Sequence, residues 1–300
     1  MRRTFRDAWS AAQPVFSFEF FPPKDDQQAA QLDETIVRLA PFRPAGVSVT
    51  YGAGGSSQQR SFGMVRALTD RGLAVAAHLT CAGASCAEVE AAIDAFRAAG
   101  VQRFVALRGD NPGGLGLPYQ AHPAGYSDTA ELVRTLKRAG AADVAVSAYP
   151  EKHPDSPDWD SELDTLKRKV DAGADRAITQ FFFDNDVFER YLERVRRAGI
   201  AIPIIPGIMP VHRFASVRSF AERCGASIPE QLARRFEDLP HEGATHGLVA
   251  AAIAVEQIAD LAERGVRAFH LYTLNRAELT EAICRFFGAQ LDESRAAAAA

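Results

Sequence analysis

The residues best equipped for chemistry in this 300-residue chain stand singly, each at or near the end of a short apolar run. Glu19 lies in Phe16-Ser17-Phe18-Glu19-Phe20-Phe21, a carboxylate among aromatic side chains. Buried and unpaired, such a charge costs several kcal/mol or gives way to the protonated acid. Thr50 and Tyr51 end GVSVTY, His78 and Thr80 end AVAAHLT, and Arg108, Gly109 and Asp110 follow RFVAL. Tyr149, Glu151 and His153 come after DVAVSA, Gln180 sits in RAITQFFF, and Tyr272, Thr273, Asn275 and Arg276 close AFHLYTLNR. Carboxyl, imidazole, hydroxyl and amide groups are the materials of general acid–base chemistry. An apolar wall should raise the pKa of Glu19 and make it a competent acid near neutral pH. Asp110 reads two ways, as a cap on the turn after a strand or as a working carboxylate.

The elements that must position these groups recur in one order: a β-branched or aromatic run, a polar end, a loop, then a helical stretch. Eight runs fit: Val15–Phe21, Gly46–Tyr51, Ala74–Thr80, Arg103–Arg108, Asp143–Tyr149, Arg176–Phe183, Ile202–Ile208 and Ala268–Leu274. Helical periodicity appears at Gln28–Ala40, Ser61–Arg71, Cys86–Ala99, Thr129–Arg138, Asp160–Ala172, Asp186–Ala198 and Leu279–Phe287. Gly72, Gly100, Gly173, Gly199 and Gly265 stand where a helix stops and the chain turns into the next strand. Eight strand–helix repeats with right-handed crossovers predict an α/β fold, a (β/α)8 TIM barrel, rather than an open doubly wound sheet. Such a barrel uses about 250 residues, so residues 1–300 read as one catalytic domain. Two or three extra helices are expected over about 213–264, and a frayed tail over about 292–300. Barrels of this kind place their sites at the C-terminal ends of the strands, where the polar residues above cluster. Alternation along the first strand puts Phe16, Phe18 and Phe20 on one face and Ser17 and Glu19 on the other. The phenylalanines suit the layer under the helices, which points Glu19 into the barrel; a reversed register would turn it outward.

Composition narrows the partners. With 34 basic and 38 acidic residues the net charge is −4, which gives no footprint for nucleic acid or an anionic membrane. No apolar run approaches the roughly 20 residues of a membrane span, and the N-terminal MRRTFRDAWSAAQP lacks the apolar core of a secretory signal. Cys81, Cys86, Cys224 and Cys284 show neither a CxxC pair nor metal-ligand spacing, as expected of free thiols in the cytoplasm. No metal site is expected, and a homo-oligomer is compatible with the sequence.

Other motifs stay ambiguous at this level. Gly52–Arg60, GAGGSSQQR, has part of a dinucleotide fingerprint but lacks the third glycine and the ribose-binding acid, so a Rossmann unit is rejected. The glycine-rich segment 111–127 is too long for a plain connection; it is either a ligand-facing loop or a surface insertion. Leu166-Lys167-Arg168-Lys169 is either a solvated helix face or a phosphate-holding one. His122, His212, His241 and His246 have no ligand spacing and read as surface or satisfied histidines, and His270 as a packed core histidine. A cofactor-free lyase with Glu19 as base would need a Schiff-base lysine or a metal at a strand end, and neither is evident.

FSFEFFPPK, VSVTYGAGG, HLTC, ALRGD, AYPEKHP, LKRKVDAGADRAITQFFFD, IPIIPGIMPV and FHLYTLNRAE fall in order, one per strand, from about residue 15 to 287. Together they resemble the 5,10-methylenetetrahydrofolate reductase family, in the short bacterial form made of the catalytic barrel alone. The resemblance implies FAD bound across the barrel mouth, reduced by NADH or NADPH, and a ping-pong reduction of methylenetetrahydrofolate to the 5-methyl compound that supplies methionine synthesis. It implies Glu19 as the general acid that opens the folate ring and Asp110 as the group that holds the pterin and tunes the flavin. It implies FAD contacts from Thr50, Tyr51, Ala53, His78, Arg108, Gly109, Asp110, Tyr149, His153, Arg168 and Lys169. Folate or nicotinamide would be met by Asp110, Gln180, Phe214 and Arg276. A non-catalytic folate- or flavin-binding relative is the remaining alternative.

Overall fold

The computed structural model describes residues 13–51, 55–110, 120–241 and 243–289. Among them the strands are β1 (Val15–Phe20), β2 (Val47–Val49), β3 (Val75–Thr80), β4 (Arg103–Leu107), β5 (Asp143–Ala148), β6 (Arg176–Thr179), β7 (Ile204–Ile205), β8 (Gly207–Ile208) and β9 (Ala268–Tyr272). The helices are α1 (Asp26–Leu39), α2 (Gly55–Asp70), α3 (Cys86–Ala98), α4 (Thr129–Arg138), α5 (Trp159–Asp171), α6 (Asn185–Arg197), α7 (Phe214–Cys224), α8 (Glu230–Phe236), α9 (Ala244–Glu263) and α10 (Glu278–Phe286). The expected helices recur with ends shifted by a few residues at most, except that α2 begins earlier, and α7 to α9 fill the long seventh connection. All five glycines singled out above have positive φ, which lets each chain reverse out of its helix without a Cβ penalty. Side-chain caps start several helices: Asp25, Ser85, Asp128, Asp158 and Asp184 each accept from a backbone N–H of the first turn.

Two strands differ from expectation. The sixth ends at Thr179, so the aromatic run after Gln180 leaves the sheet, and Phe181 and Phe182 bury their rings outside the ladder. The seventh is two pieces with Pro206 between them, a residue that has no N–H to offer a ladder. That break closes the barrel. The sheet runs β7-β6-β5-β4-β3-β2-β1-β9-β8, every neighbour parallel, and its two ends, β7 on β6 and β8 on β9, are consecutive pieces of one segment. Gly207 is the close-contact point there: a Cβ on it would run into the Thr179 carbonyl and the Tyr272 ring.

The apolar core lies mainly between sheet and helices. Phe16, Phe18 and Phe20 are buried in it, while Ser17 and Glu19 are only partly covered, the alternation expected of β1. Inside the barrel the apolar layer is thin, with Ala76, Val105 and Ala145 buried and Leu107 and Ile178 packed against them.

Candidate active site

Glu19 reaches the C-terminal mouth of the barrel, and its backbone is held from the last strand. The Thr273 hydroxyl donates to the Glu19 carbonyl at 2.6 Å. The Asn275 side chain accepts from Phe21 N at 3.0 Å and donates to Phe21 O at 2.7 Å. To do so the chain turns through two left-handed residues, Leu274 at φ 52° and Asn275 at φ 54°. Asparagine tolerates that conformation better than most residues, and here its amide repays it with two bonds.

The Glu19 carboxyl stands between two imidazoles. Its Oε2 is 3.4 Å from His78 Nε2 and 3.5 Å from His270 Nε2, and both rings are buried. Behind His270, its Nδ1 lies 2.8 Å from Ser17 Oγ. This corrects the expected raised pKa of Glu19. Burial does push the carboxyl up, but the hydrogen-bonding pull of His270 and the charges of His78 and His270 outweigh it, leaving Glu19 below the ordinary carboxylate range. His78 is pushed down, chiefly by burial, with Glu19 pulling the other way. His270 is therefore more than a packed core histidine, and the register explains why: Ser17 pairs with His270 and Glu19 with Tyr272 on the neighbouring strand.

A cavity of about 510 Å³ opens above this group. It gathers Thr50, Tyr51, His78, Asp110, Tyr149 and Gln180 around Glu19, with Tyr272, Phe220 and Cys224 completing the wall. Asp110 is exposed at the rim, and the Gln180 amide oxygen accepts from Phe181 N at 3.0 Å. The Tyr272 hydroxyl donates to Thr179 O at 2.7 Å, and burial holds the phenols of Tyr272 and Tyr149 in the neutral form by raising their pKa.

A second cavity of about 430 Å³ continues sideways, sharing Leu107, Asp110, Ser147 and Tyr149 with the first. Arg108, Gly109, His153, Arg168 and Lys169 line it. His153 packs edge-on against Tyr149, ring centroids 4.6 Å apart. Lys169 is buried and donates to the Ser147 carbonyl at 3.1 Å and hydroxyl at 3.2 Å, both neutral; burial lowers its pKa to about 8. Arg108 pairs with Asp155 at 2.6 Å, and Arg168 with Asp128 and with Asp164 at 3.1 Å. The Lys167–Lys169 stretch thus divides: Lys167 faces outward to Asp171, whereas Arg168 and Lys169 face the cavity. Arg108, Arg168 and Lys169 share this trough with Asp110, Asp128, Asp155 and Glu162, so a diphosphate there would meet the Lys169 ammonium and compete with carboxylates for the two arginines.

Other expected contacts lie elsewhere. Phe214 stacks on Phe236, 5.0 Å apart and within 10° of parallel, and lines a separate cavity with Arg218, Glu230 and Arg234. The aromatic side chain at the mouth from the same helix is Phe220, six residues on, stacked on Phe181 at 5.4 Å. Its partial exposure, unusual for a large apolar side chain, was not readable from the sequence. Arg276 is exposed and lines neither mouth cavity. Ala53, residues 111–119 and the tail lie outside the described residues.

A family model described as methylenetetrahydrofolate reductase matches residues 4–288. The chain is 42% identical over 273 residues to the 5,10-methylenetetrahydrofolate reductase of Escherichia coli (strain K12), covering 91% of this chain and 90% of that one. To the protein of the same name from Pectobacterium carotovorum subsp. carotovorum it is 40% identical over 280 residues, 93% and 92% of the two chains. Among solved structures it is similar to a Clostridium thermocellum protein described as binding two copies of 5-methyl-5,6,7,8-tetrahydrofolic acid, with a TM-score of 0.59 over 93% of this chain and 96% of that one. At 14% identity that likeness shows a shared fold.

Proposed function

The chain belongs to the methylenetetrahydrofolate reductase family, a family of oxidoreductases, and from that premise we propose that it reduces 5,10-methylenetetrahydrofolate to 5-methyltetrahydrofolate through bound FAD, with NADH or NADPH as the reductant in a ping-pong cycle. The observation that carries this reading is the Glu19 carboxyl, set between His78 and His270 at the base of the mouth cavity.

FAD, when bound, supplies a two-electron carrier that accepts hydride from one substrate and passes it to the next. The residues present suit it. The joined cavities offer a long trough: Lys169, Arg108 and Arg168 would meet the diphosphate, and Thr50, Tyr51, His78, Gly109, Tyr149 and His153 would flank the rest. Gly109 adopts φ +90°, and a Cβ there would lie 2.9 Å from Thr80, so this turn at the cavity edge requires glycine.

On the folate side, Asp110 and Gln180 offer an acceptor and an amide to the pterin edge. Phe220 takes the stacking part expected of Phe214, and Arg276 is reserved for the outer, carboxylate-bearing end. Glu19 donates a proton to the folate nitrogen whose bond to the one-carbon unit breaks. The ring opening yields an iminium ion, a better hydride acceptor than the closed ring. Glu19 is held low in the free protein and would take up its proton as the folate binds. A folate bound over the carboxyl removes solvent and favours its neutral form.

The absorption spectrum tests the proposal. The purified protein, or the protein reconstituted with FAD, is expected to be yellow, to bleach with NADH or NADPH without oxygen, and to regain its colour with methylenetetrahydrofolate. A colourless protein that takes up no FAD overturns it.

A further inference from the structure

The barrel has a second opening. At the N-terminal ends of the strands lies a cavity of about 390 Å³, divided from the mouth by Val105 and Ile178, which line both. Barrels of this kind fill their interior mainly with bulky branched side chains. Here Ser17, Ser48 and Ala76 line the floor, and their small side chains leave the space open. One row of the parallel ladder crosses it: Ser48 pairs with Ala76, Ala76 with Arg103, and Arg103 with Asp143. All four residues line the cavity. Neighbouring strands stand about 4.8 Å apart, so the Ser48 and Arg103 backbones are about 10 Å apart with only the Ala76 methyl group between them. The polar atoms of this row are incompletely used. Ser48 is 3% exposed, and its hydroxyl has no hydrogen-bond partner among the described residues. Asp143 Oδ1 accepts from Arg176, while its buried Oδ2 accepts from nothing among the described residues. Arg103 donates to the neutral Ala45 carbonyl at 3.1 Å and has no carboxylate partner among the described residues. A buried hydroxyl and a buried carboxylate oxygen without partners are costly, and a ligand that completes both removes that cost.

We propose that the barrel floor binds a small zwitterion with an apolar side chain, of the class of the free apolar α-amino acids. The carboxylate of the occupant accepts from Arg103 and from the Ser48 hydroxyl, across the gap over Ala76. Its ammonium donates to Asp143 Oδ2, the oxygen that Arg176 leaves unused. Its side chain lies against Ala76, Val105 and Ile178, the thin apolar layer of the barrel. At about 30 Å³ per water-sized group the cavity holds roughly a dozen heavy atoms, the size of leucine or phenylalanine. Both charged ends are needed. A plain carboxylate brings no donor to Asp143 Oδ2, and a plain amine faces the Arg103 guanidinium with nothing for it to bind. Binding here depends on nothing proposed for the mouth, because Val105 and Ile178 stand between the two cavities.

Calorimetry of the full chain as purified tests the site with L-leucine and L-phenylalanine. Two leucine analogues serve as controls: isocaproate, which lacks the ammonium, and isopentylamine, which lacks the carboxylate. At least one of the amino acids is expected to bind once per chain with a Kd of about 1 mM or below. Each analogue should bind at least about 10-fold more weakly than L-leucine, the scale of one charge-assisted hydrogen bond. Arg103→Met should weaken binding by about 30-fold or more, and Ser48→Ala by about fivefold. Ser48→Ala removes a single oxygen, so it keeps the test intact if Arg103→Met fails to fold. Methyl NMR locates the occupant: the Val105 and Ile178 signals should shift as L-leucine is added. No saturable binding of either amino acid up to about 10 mM means a cavity that holds water only, and overturns the site. Isocaproate bound as tightly as L-leucine overturns the zwitterion assignment. Binding that is unchanged in Ser48→Ala, or that leaves the Val105 and Ile178 signals unmoved, puts the occupant elsewhere and also overturns it. A protein that takes up no FAD and still binds L-leucine at these methyls refutes the reading of the mouth and leaves the floor site standing.

Discussion

Glu19→Gln separates the two halves of the proposed cycle. Glutamine keeps the shape of the side chain and removes both its charge and its transferable proton. In the wild type the carboxylate lies 3.4 and 3.5 Å from two imidazole nitrogens. At an effective dielectric near 20, one such contact is worth about 5 kcal/mol to an imidazolium. The variant loses that contact and has no carboxyl proton to give. General acid catalysis contributes about 10²- to 10⁴-fold, or about 3 to 5 kcal/mol of barrier. Reoxidation of the reduced flavin by methylenetetrahydrofolate should fall by at least about 100-fold. Reduction by NADH involves no proton from Glu19 and should stay within about threefold. Anaerobic stopped-flow absorbance of the flavin band reads both steps. In the wild type the folate step should also slow as pH rises and the protonated form of Glu19 becomes scarcer, whereas the residual rate of the variant should not. Survival of both half-reactions would place the acid elsewhere, and loss of both would mean that Glu19 builds the site rather than acting in it.

Other expectations follow from single contacts. Lys169 binds a diphosphate only as the ammonium, and burial holds its pKa to about 8 in the free protein; FAD affinity measured by calorimetry should decline above that pH. Lys169→Met should weaken binding by about 10- to 100-fold at pH 7, the scale of one charge-assisted hydrogen bond, and remove the decline. Phe220→Ala should raise the KM for folate with little loss of stability, whereas Phe214→Ala should cost about 2 kcal/mol in urea unfolding by losing its stack on Phe236 and leave the flavin half-reactions intact. His212 has its pKa lowered to about 4, mainly by burial and then by the charge of Arg276. Between that value and 6.5 the unfolded chain binds the extra proton, so stability should fall as pH drops, by about 3 kcal/mol from this group at pH 4, and His212→Gln should flatten the curve. Gly207→Ala should destabilise the barrel seam and lower Tm, because the added carbon meets the Thr179 carbonyl and the Tyr272 ring.

Much of this protein is local and was legible in one dimension. A strand alternates faces whatever surrounds it, so Phe16, Phe18 and Phe20 were legible as one face and Ser17 and Glu19 as the other, and the fold then turned the carboxyl into the barrel. Helix ends were legible for the same reason, since a C-terminal glycine and a capping Asp or Ser act on their own backbone. The strand-end polar residues named from the sequence largely meet at one mouth, because a parallel barrel brings the same end of every strand together.

What the sequence could not carry was anything set by partners far along the chain. His270 and Ser17 are 253 residues apart, and only the β1–β9 register makes them neighbours and reverses the expected shift of Glu19. Helix α7 contains two phenylalanines six residues apart, and its packing, not its periodicity, decided that Phe220 faces the mouth and Phe214 faces Phe236. The break at Pro206 was visible as a residue, but its role in joining β6 to β9 exists only once the sheet has curved round to meet itself. Sequence determines what each segment prefers; a pKa, a stacking partner and a barrel seam are sums over groups that only the closed fold brings within reach.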